Sequence, residues 1–302
     1  MYAFSIRSFG WIAAVWLVIG AQSALGQPIV RGFESLEWMM ASSDLVLCGT
    51  LASVTNERDD DDSTWHQVEF LVAETLKGTP QRTVRFVVEG SGRNELVWWR
   101  EQQRSMVVFL NDSRQVASTM AGSSGLSGRR YLQFPYAARS GHCERSFVDL
   151  GADSAEPVYS LSLDRRRGSD QILPVLKAAA KVEVPARLPS CTVAIPGSGQ
   201  LSKLTIPVDD RVEAAARQWA KSSETDARQA AVIVLQYFQS PTNVDVLRGL
   251  LKDPGSFILE VSDGGAPQKL ECRYYPVRHS AYKVLQAWGV DVSRPIYQEP
   301  LP

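Results

Sequence analysis

Histidine is scarce in this 302-residue chain, with three residues, His66, His142 and His279. No two stand at the i, i+4 spacing that sets a pair of imidazoles on one helix face, so a histidine-built metal centre is not expected. The four cysteines, Cys48, Cys143, Cys191 and Cys272, include no Cys-x-x-Cys, which speaks against a zinc knuckle or a thioredoxin-like dithiol. A nucleophile elbow is missing too: the Gly- and Ser-rich run at 122–128 is out of the Gly-x-Ser-x-Gly register. The stretch 197–203 lacks both the spacing and the Gly-Lys-Ser/Thr ending of a phosphate loop. His142 and Cys143 are adjacent, and neighbours in sequence seldom aim their side chains at one another. These absences leave no recognisable catalytic residue, metal ligand set or cofactor site.

Charge of one sign is lacking as well. Arg7 is the only charged residue before position 27, and beyond it 31 basic side chains stand against 33 acidic ones. Nucleic acid demands a dense cationic footprint, so that partner class is excluded, and strong electrostatic adhesion to a membrane is not expected. Long hydrophobic runs are limited to one, residues 9–21. That run is shorter than the about 20 residues needed to cross a bilayer but fits the core of a secretory signal peptide. Ser23, Ala24, Leu25, Gly26 and Gln27 follow, with small residues suited to cleavage after Gly26. The expectation is a signal peptide at 1–26 and an extracytoplasmic product, periplasmic or secreted, with no membrane insertion once it is cleaved. No cysteine follows the run to carry a lipid anchor. An oxidising compartment would let the four cysteines pair, and four allow three connectivities. Cys48 with Cys143 and Cys191 with Cys272 is the simplest pairing, and small buried thiols are the alternative.

The texture of the chain changes near residue 185, suggesting a β-rich domain at 27–185 and a helical one at 186–302. Runs rich in Val, Phe, Leu and Thr at 44–54, 65–76, 83–89, 105–110, 131–136 and 158–163 read as strands separated by turn clusters. Short helices are expected at 35–40 and at 170–181, the second capped by Ser169 with Ile172, Leu173, Val175 and Leu176 as its apolar stripe. Asp59, Asp60, Asp61 and Asp62 tip a hairpin loop. They read as a solvated turn, since a calcium loop of EF-hand type needs a central Gly and a twelfth-position carboxylate that are not in place. Trp98 and Trp99 with Arg100 form a candidate binding platform for sugar or peptide, the alternative being that both rings are core.

The hairpin, then Glu74-Thr75-Leu76-Lys77-Gly78 leading into Thr83-Val84-Arg85-Phe86-Val87-Val88, resembles a small β-barrel module of bacterial exported proteins. That module is related to the oligonucleotide/oligosaccharide-binding barrel and to netrin or TIMP-like domains, and the resemblance covers 44–111. In TIMP-like inhibitors an amino-terminal cysteine chelates the metal of the target protease, whereas Gln27 opens the expected mature chain here.

Past residue 205 the sequence repeats itself at a fifty-residue interval. Ala227-Arg228, Ala231, Val234-Leu235-Gln236 and Phe238 recur as Val277-Arg278, Ala281, Val284-Leu285-Gln286 and Trp288. The apolar members make one helical face, so each copy predicts an amphipathic helix. Ser223 with Asp226 reads as a capping box for the first copy, and Gly289 as the left-handed stop of the second. Ser240-Pro241 opens a further helix carrying Val244, Leu247 and Leu251, and 208–220 predicts one more. This pattern resembles HEAT-like helical repeats over 223–291, which implies stacked helix pairs presenting a surface to other macromolecules. Segments 257–261 and 269–275 read as a β-hairpin inserted into the repeat, either a functional element or a cover over the core. His279 aligns with Gln229 on a polar face and reads as solvated, while Arg228 and Arg278 read as structural arginines spanning neighbouring helices.

The fold class expected is therefore α+β: an N-terminal β-rich, barrel-like domain followed by a C-terminal HEAT-like helical domain with an inserted hairpin. The function expected is that of an exported, non-enzymatic binding or scaffold protein whose partner is another extracytoplasmic macromolecule, most simply a protein. A secreted protease inhibitor acting through the β-domain is the alternative. An enzyme of unrecognised type is a third, and would need His142, a carboxylate and a serine brought into one cleft.

Overall fold

A computed structural model describes residues 31–58, 64–89, 93–120, 133–138, 146–154, 158–183, 188–198, 202–262 and 269–301. The expected signal peptide, the acidic run Asp59 to Asp62, the glycine-rich loop 122–128 and His142-Cys143 lie outside them.

Strand β1 (Arg31–Glu34) and helix α1 (Leu36–Ala41) open the described chain. Ser35 caps α1 by accepting the Trp38 amide at 3.1 Å, which satisfies one orphan donor of the first turn. The long strands β2 (Leu45–Arg58) and β3 (Thr64–Lys77) then form the expected hairpin, followed by β4 (Thr83–Glu89), α2 (Arg93–Glu101), β5 (Met106–Asp112), α3 (Ser113–Met120) and β6 (Tyr136–Ala138). Around the ring β2 pairs β3, β3 pairs β4, β4 pairs β6 in parallel, β6 pairs β5, and β5 returns to β2. The result is a closed five-stranded barrel, with β7 (Phe147–Asp149) added alongside β5. Closure removes the free edges that an open sheet would expose.

Alternation along the strands fills the barrel interior. Leu45, Leu47, Leu51, Val68, Phe70, Val84, Phe86, Val88, Met106, Val108 and Leu110 point inward, joined by Leu96 and Trp99 from α2. The opposite faces of β2 and β5, with Val46, Val107 and Phe109, meet Leu36, Met39 and Met40 of α1 and Ile172, Leu176 and Ala179 of α4 (Gly168–Ala179). Because β5 is covered on both sides, its sequence Met-Val-Val-Phe-Leu is an unbroken apolar run. Three register shifts bend β2 as it wraps round, one of them between Cys48 and Gly49. A Cβ on Gly49 would sit 1.9 Å from the Leu71 carbonyl oxygen, so only glycine fits where the two strands cross closely.

The expected Ser169 cap of α4 is displaced. Gly168, at φ 72°, turns the chain into the helix first, so Ser169 falls inside the opening turn and Arg167 stands at the cap with no side-chain bond.

Beyond the barrel, β8 (Val158–Tyr159) and β9 (Arg165–Arg166) form a small ladder, where a single strand over 158–163 was expected. Strands β10 (Ser190–Ala194) and β11 (Ser202–Pro207) are antiparallel, and β1 pairs in parallel with β11, from Arg31 opposite Ser202 to Glu34 opposite Thr205. Phe33 of β1 packs edge-on to Tyr159 at 5.1 Å. Residues from both ends of the sequence therefore share one core.

Four helices complete that core: α5 (Asp210–Trp219), α6 (Thr225–Leu235), α7 (Pro241–Leu250) and α8 (Pro276–Ala287). Each lies where periodicity predicted it. Asp209 caps α5 through the Arg211 and Val212 amides, and Ser240 caps α7 with Pro241 behind it. The capping box expected at Ser223 does not form. The carbonyls of Ser222 and Ser223 are both held by the Arg228 guanidinium, at 2.8 and 2.6 Å, so the helix begins at Thr225 behind Glu224. Gly289 follows α8 at φ 72°, as expected of a left-handed stop. The repeat positions Ala227 and Val277, Ala231 and Ala281, and Leu235 and Leu285 are all buried in the same cluster.

Candidate functional site

Between α7 and α8 the chain leaves the helical core as β12 (Phe257–Ser262) and β13 (Lys269–Tyr274), and the last strand, β14 (Gln298–Pro300), joins β13 on its far side. The ladder runs from Phe257 opposite Tyr274 to Ser262 opposite Lys269 without a register shift. β12 is an outer strand of this three-stranded sheet, and among the described residues no strand lies against its free side. Sheet edges are ordinarily blunted by Lys, Pro, a bulge or a covering segment. Here the sequence Phe-Ile-Leu-Glu-Val-Ser contains neither Lys nor Pro. Phe257 is 42% exposed, Ile258 57% and Leu259 37%. Successive residues of a strand point to opposite faces, so three consecutive exposed apolar residues leave both faces of the strand bare. That run of hydrophobic surface on a free backbone edge is the most prominent candidate site among the described residues.

The other border of the sheet is tightly held. Tyr297 stacks on the His279 ring, with centroids 4.2 Å apart and planes 9° from parallel. The His279 Nδ1 lies 2.6 Å from the Tyr274 hydroxyl. The expectation of a solvated His279 is thus corrected: the imidazole is half-buried between two tyrosines. Burial pushes its pKa down, with Lys283 and Arg294 adding to the effect. Burial likewise raises the Tyr274 hydroxyl, with Tyr297 adding to it. Alongside, Arg278 lies over the Tyr275 ring at 3.8 Å and donates to the Ile296 carbonyl at 2.9 Å, while the Tyr275 hydroxyl donates to Glu299 at 3.0 Å. Position 279 does align with a polar position of the first repeat copy. The partners that bury it arrive from a strand and from the chain terminus, neither of which the helical pattern describes.

The tryptophan platform is divided. Trp98 and Trp99 are consecutive residues of α2, so their rings point about 100° apart. Trp99 is 8% exposed and packs on Phe147 at 5.6 Å inside the barrel, whereas Trp98 is 46% exposed with the Arg104 guanidinium 5.1 Å above it. Arg100 pairs with Glu101 at 3.4 Å. Arg104 is itself tied to Asp153 by two hydrogen bonds of 2.8 and 2.9 Å, so Trp98 is one half-covered ring rather than a platform.

The disulfide pairing is also corrected in part. Cys191 and Cys272 are free thiols in different sheets, Cys191 on β10 within the helical core and Cys272 on β13, where the Gln298 amide approaches its Sγ at 3.4 Å. Burial pushes the Cys191 thiol up to about 12, which makes it inert as a nucleophile. Cys48 is a half-buried free thiol raised first by burial and then by Glu74. Its proposed partner, Cys143, lies outside the described residues.

One open cleft of about 390 Å³ lies beside β8, β9 and the start of α6, lined by Tyr159, Asp164, Arg165, Gln218, Trp219 and Glu224. Histidine and cysteine are both missing from its lining, and its titratable side chains are the carboxyls of Asp164 and Glu224, the Arg165 guanidinium and the Tyr159 hydroxyl. Among the described residues no group of three His, Cys, Asp or Glu side chains is placed to hold a metal ion, and no helix is long and apolar enough to cross a membrane. No family model, curated protein or solved structure matches this chain.

Proposed function

We propose that this is an exported, non-enzymatic binding or scaffold protein that recognises another extracytoplasmic macromolecule, a protein, through the free edge of β12. The observation that carries the reading is the exposure of Phe257, Ile258 and Leu259 on a strand with an open backbone edge. Such an edge takes up an extended segment by main-chain hydrogen bonding, with side-chain contacts on both faces adding selectivity. The HEAT-like reading is supported by the matched burial of the two repeat copies, and fits a rigid helical base that carries the hairpin. The reading of the first half as a module of the oligonucleotide/oligosaccharide-binding and netrin type is supported by the closed five-stranded barrel with its single parallel contact, β4 with β6. The signal peptide at 1–26 supplies the compartment.

Crosslinking pull-down of the tagged full chain from cell envelope and culture fluid, beside an Ile258→Lys variant, tests this. A stoichiometric partner captured by the native chain and lost with Ile258→Lys is the expected result. A partner retained equally by both, or no enrichment from either fraction, overturns the edge as the recognition site. A protease recovered as that partner would turn the reading toward inhibition.

A further inference from the structure

The segment that follows α8 closes back on the C-terminal sheet through a small set of contacts centred on one histidine. Tyr297 stacks on His279 at 4.2 Å and Tyr274 bonds the His279 Nδ1 at 2.6 Å, so the ring joins the terminal segment to β13. Main-chain bonds lie beside this contact. The Tyr275 amide donates to the Tyr297 carbonyl at 2.9 Å, and the Leu301 amide donates to the Glu271 carbonyl at 3.1 Å. Gln298, Glu299 and Pro300 pair with Tyr274, Arg273 and Cys272. A three-residue strand is too short to hold its place on ladder bonds alone, so the aromatic contact carries a large share of the docking.

We infer that Tyr274, His279 and Tyr297 form an acid-sensitive clasp that fastens the terminal segment 294–301 over the outer edge of β13 and loosens it when His279 takes up a proton.

The charged and titratable groups facing the ring come from three elements. Lys283 lies one turn further along α8, Tyr274 belongs to β13, and the terminal segment brings Tyr297 together with Arg294, whose guanidinium is 5.0 Å from the Tyr297 ring centre and bonds its hydroxyl. Glu299, the nearby carboxylate, is already engaged by the Tyr275 hydroxyl. With the ring neutral and its proton on Nε2, Nδ1 accepts the Tyr274 O–H. Protonation makes Nδ1 a donor, forces the tyrosine hydroxyl to reverse, and sets a third cation beside Lys283 and Arg294 in a half-buried place. The contact of His279⁺ with the Tyr297 face would be favourable taken singly, but Arg294 already lies over that ring.

The sign follows from linkage. A histidine whose pKa is depressed in the folded state stabilises it fully above the usual histidine value, and that contribution is lost as pH falls through the depressed value. Loosening would bare the outer edge of β13, leaving β12 and β13 as a hairpin with two free sides.

Hydrogen exchange of the full chain at pH 7.5 and pH 5, corrected for intrinsic rates and referenced to barrel amides, reads the clasp directly. Protection at the Tyr275 and Leu301 amides is expected to fall by roughly threefold or more on acidification. His279→Phe keeps a stacking ring without a titrating nitrogen, and its protection there should not change with pH. If that variant does not fold, His279→Gln, which retains an acceptor for Tyr274, serves the same purpose. Equal protection at the two pH values in the native chain, or the same acid loss in the histidine variant, overturns the clasp. So does an NMR titration placing His279 at or above the range of a solvated histidine.

Discussion

Arg228 and Arg278, fifty residues apart at the same position of the internal repeat, converge on Asp253: the first binds its carboxylate through two nitrogens, and the second donates to its main-chain carbonyl at 2.6 Å. Asp253 lies in the turn between α7 and the hairpin, so one residue ties both repeat helices to the base of the C-terminal sheet. The side chains of Arg228 and Asp253 are only 10% and 2% exposed.

Removing one partner of such a pair strands the other charge in a low-dielectric site. Asp253→Ala should therefore cost about 3–5 kcal/mol in denaturant unfolding. Arg228→Met should cost a similar amount, and the double variant much less than the sum. Additive losses would show that the two side chains do not depend on each other.

The repeat core is tested by Leu235→Ala and Leu285→Ala, because both leucines are fully buried in one cluster. Each should lose about 2–5 kcal/mol, through lost transfer energy and the cavity left behind. A neutral result for either would remove the support for stacked repeat helices.

In the barrel, Gly49→Ala should be costly in spite of adding a single methyl group, because the new Cβ would meet the Leu71 carbonyl oxygen at 1.9 Å. Backbone cannot yield as a flexible side chain can, and a loss of about 3 kcal/mol in chemical denaturation is expected. Alanine at Gly249, where a Cβ would meet nothing within 4 Å, is the matching control and should be tolerated.

Trp98 and Trp99 separate the platform reading from the core reading. Trp99→Ala should cost about 3–5 kcal/mol, as for a large core aromatic, while Trp98→Ala should cost no more than about 1 kcal/mol. Equal, small effects would return both rings to the surface.

Glu37 carries a pH signature. Burial raises its carboxyl, offset in part by amide bonds, including that from Leu161, and by the charges of Arg211 and Arg166. A carboxyl raised in the folded state favours folding while protonated, and that contribution is lost as pH rises through the folded value. Glu37→Gln, which can still accept the Leu161 amide, should melt above the native chain at pH 7. The gap should narrow toward pH 4, as both side chains become neutral. A gap independent of pH would mean that the ionisation of Glu37 is not involved.

Of the barrel, the hairpin of β2 and β3 and the strands β4 and β5 were legible because each alternates or runs apolar over five or more residues. Helices α2 and α3 escaped notice: α2 begins at Arg93 amid polar residues, and α3 is short, with Ser, Arg, Gln and Thr at five of its eight positions. Strands β7 and β9, of three and two residues, are shorter than any period that could announce them, while β6 and β8 were legible only as parts of the longer runs expected at 131–136 and 158–163. In the candidate site, the β12–β13 hairpin was visible from its two β segments around Gly264-Gly265, but its unprotected edge was not, since exposure depends on what the rest of the chain fails to cover.

Local physics was enough for the features confined to a few turns of chain. The stripes of α5 to α8, the Ser240-Pro241 start and the Gly289 stop are written in side chains three or four positions apart, and each requires only its own helix to form. Tertiary contact alone decided the features that depend on residues distant in sequence. These include the parallel pairing of Arg31–Glu34 with β11, the closure of β5 onto β2, the burial of Trp99 with Trp98 left outside, and the enclosure of His279 by Tyr274 and Tyr297. A pattern within one segment records which face that segment buries, but carries no information about which distant segment arrives to bury it.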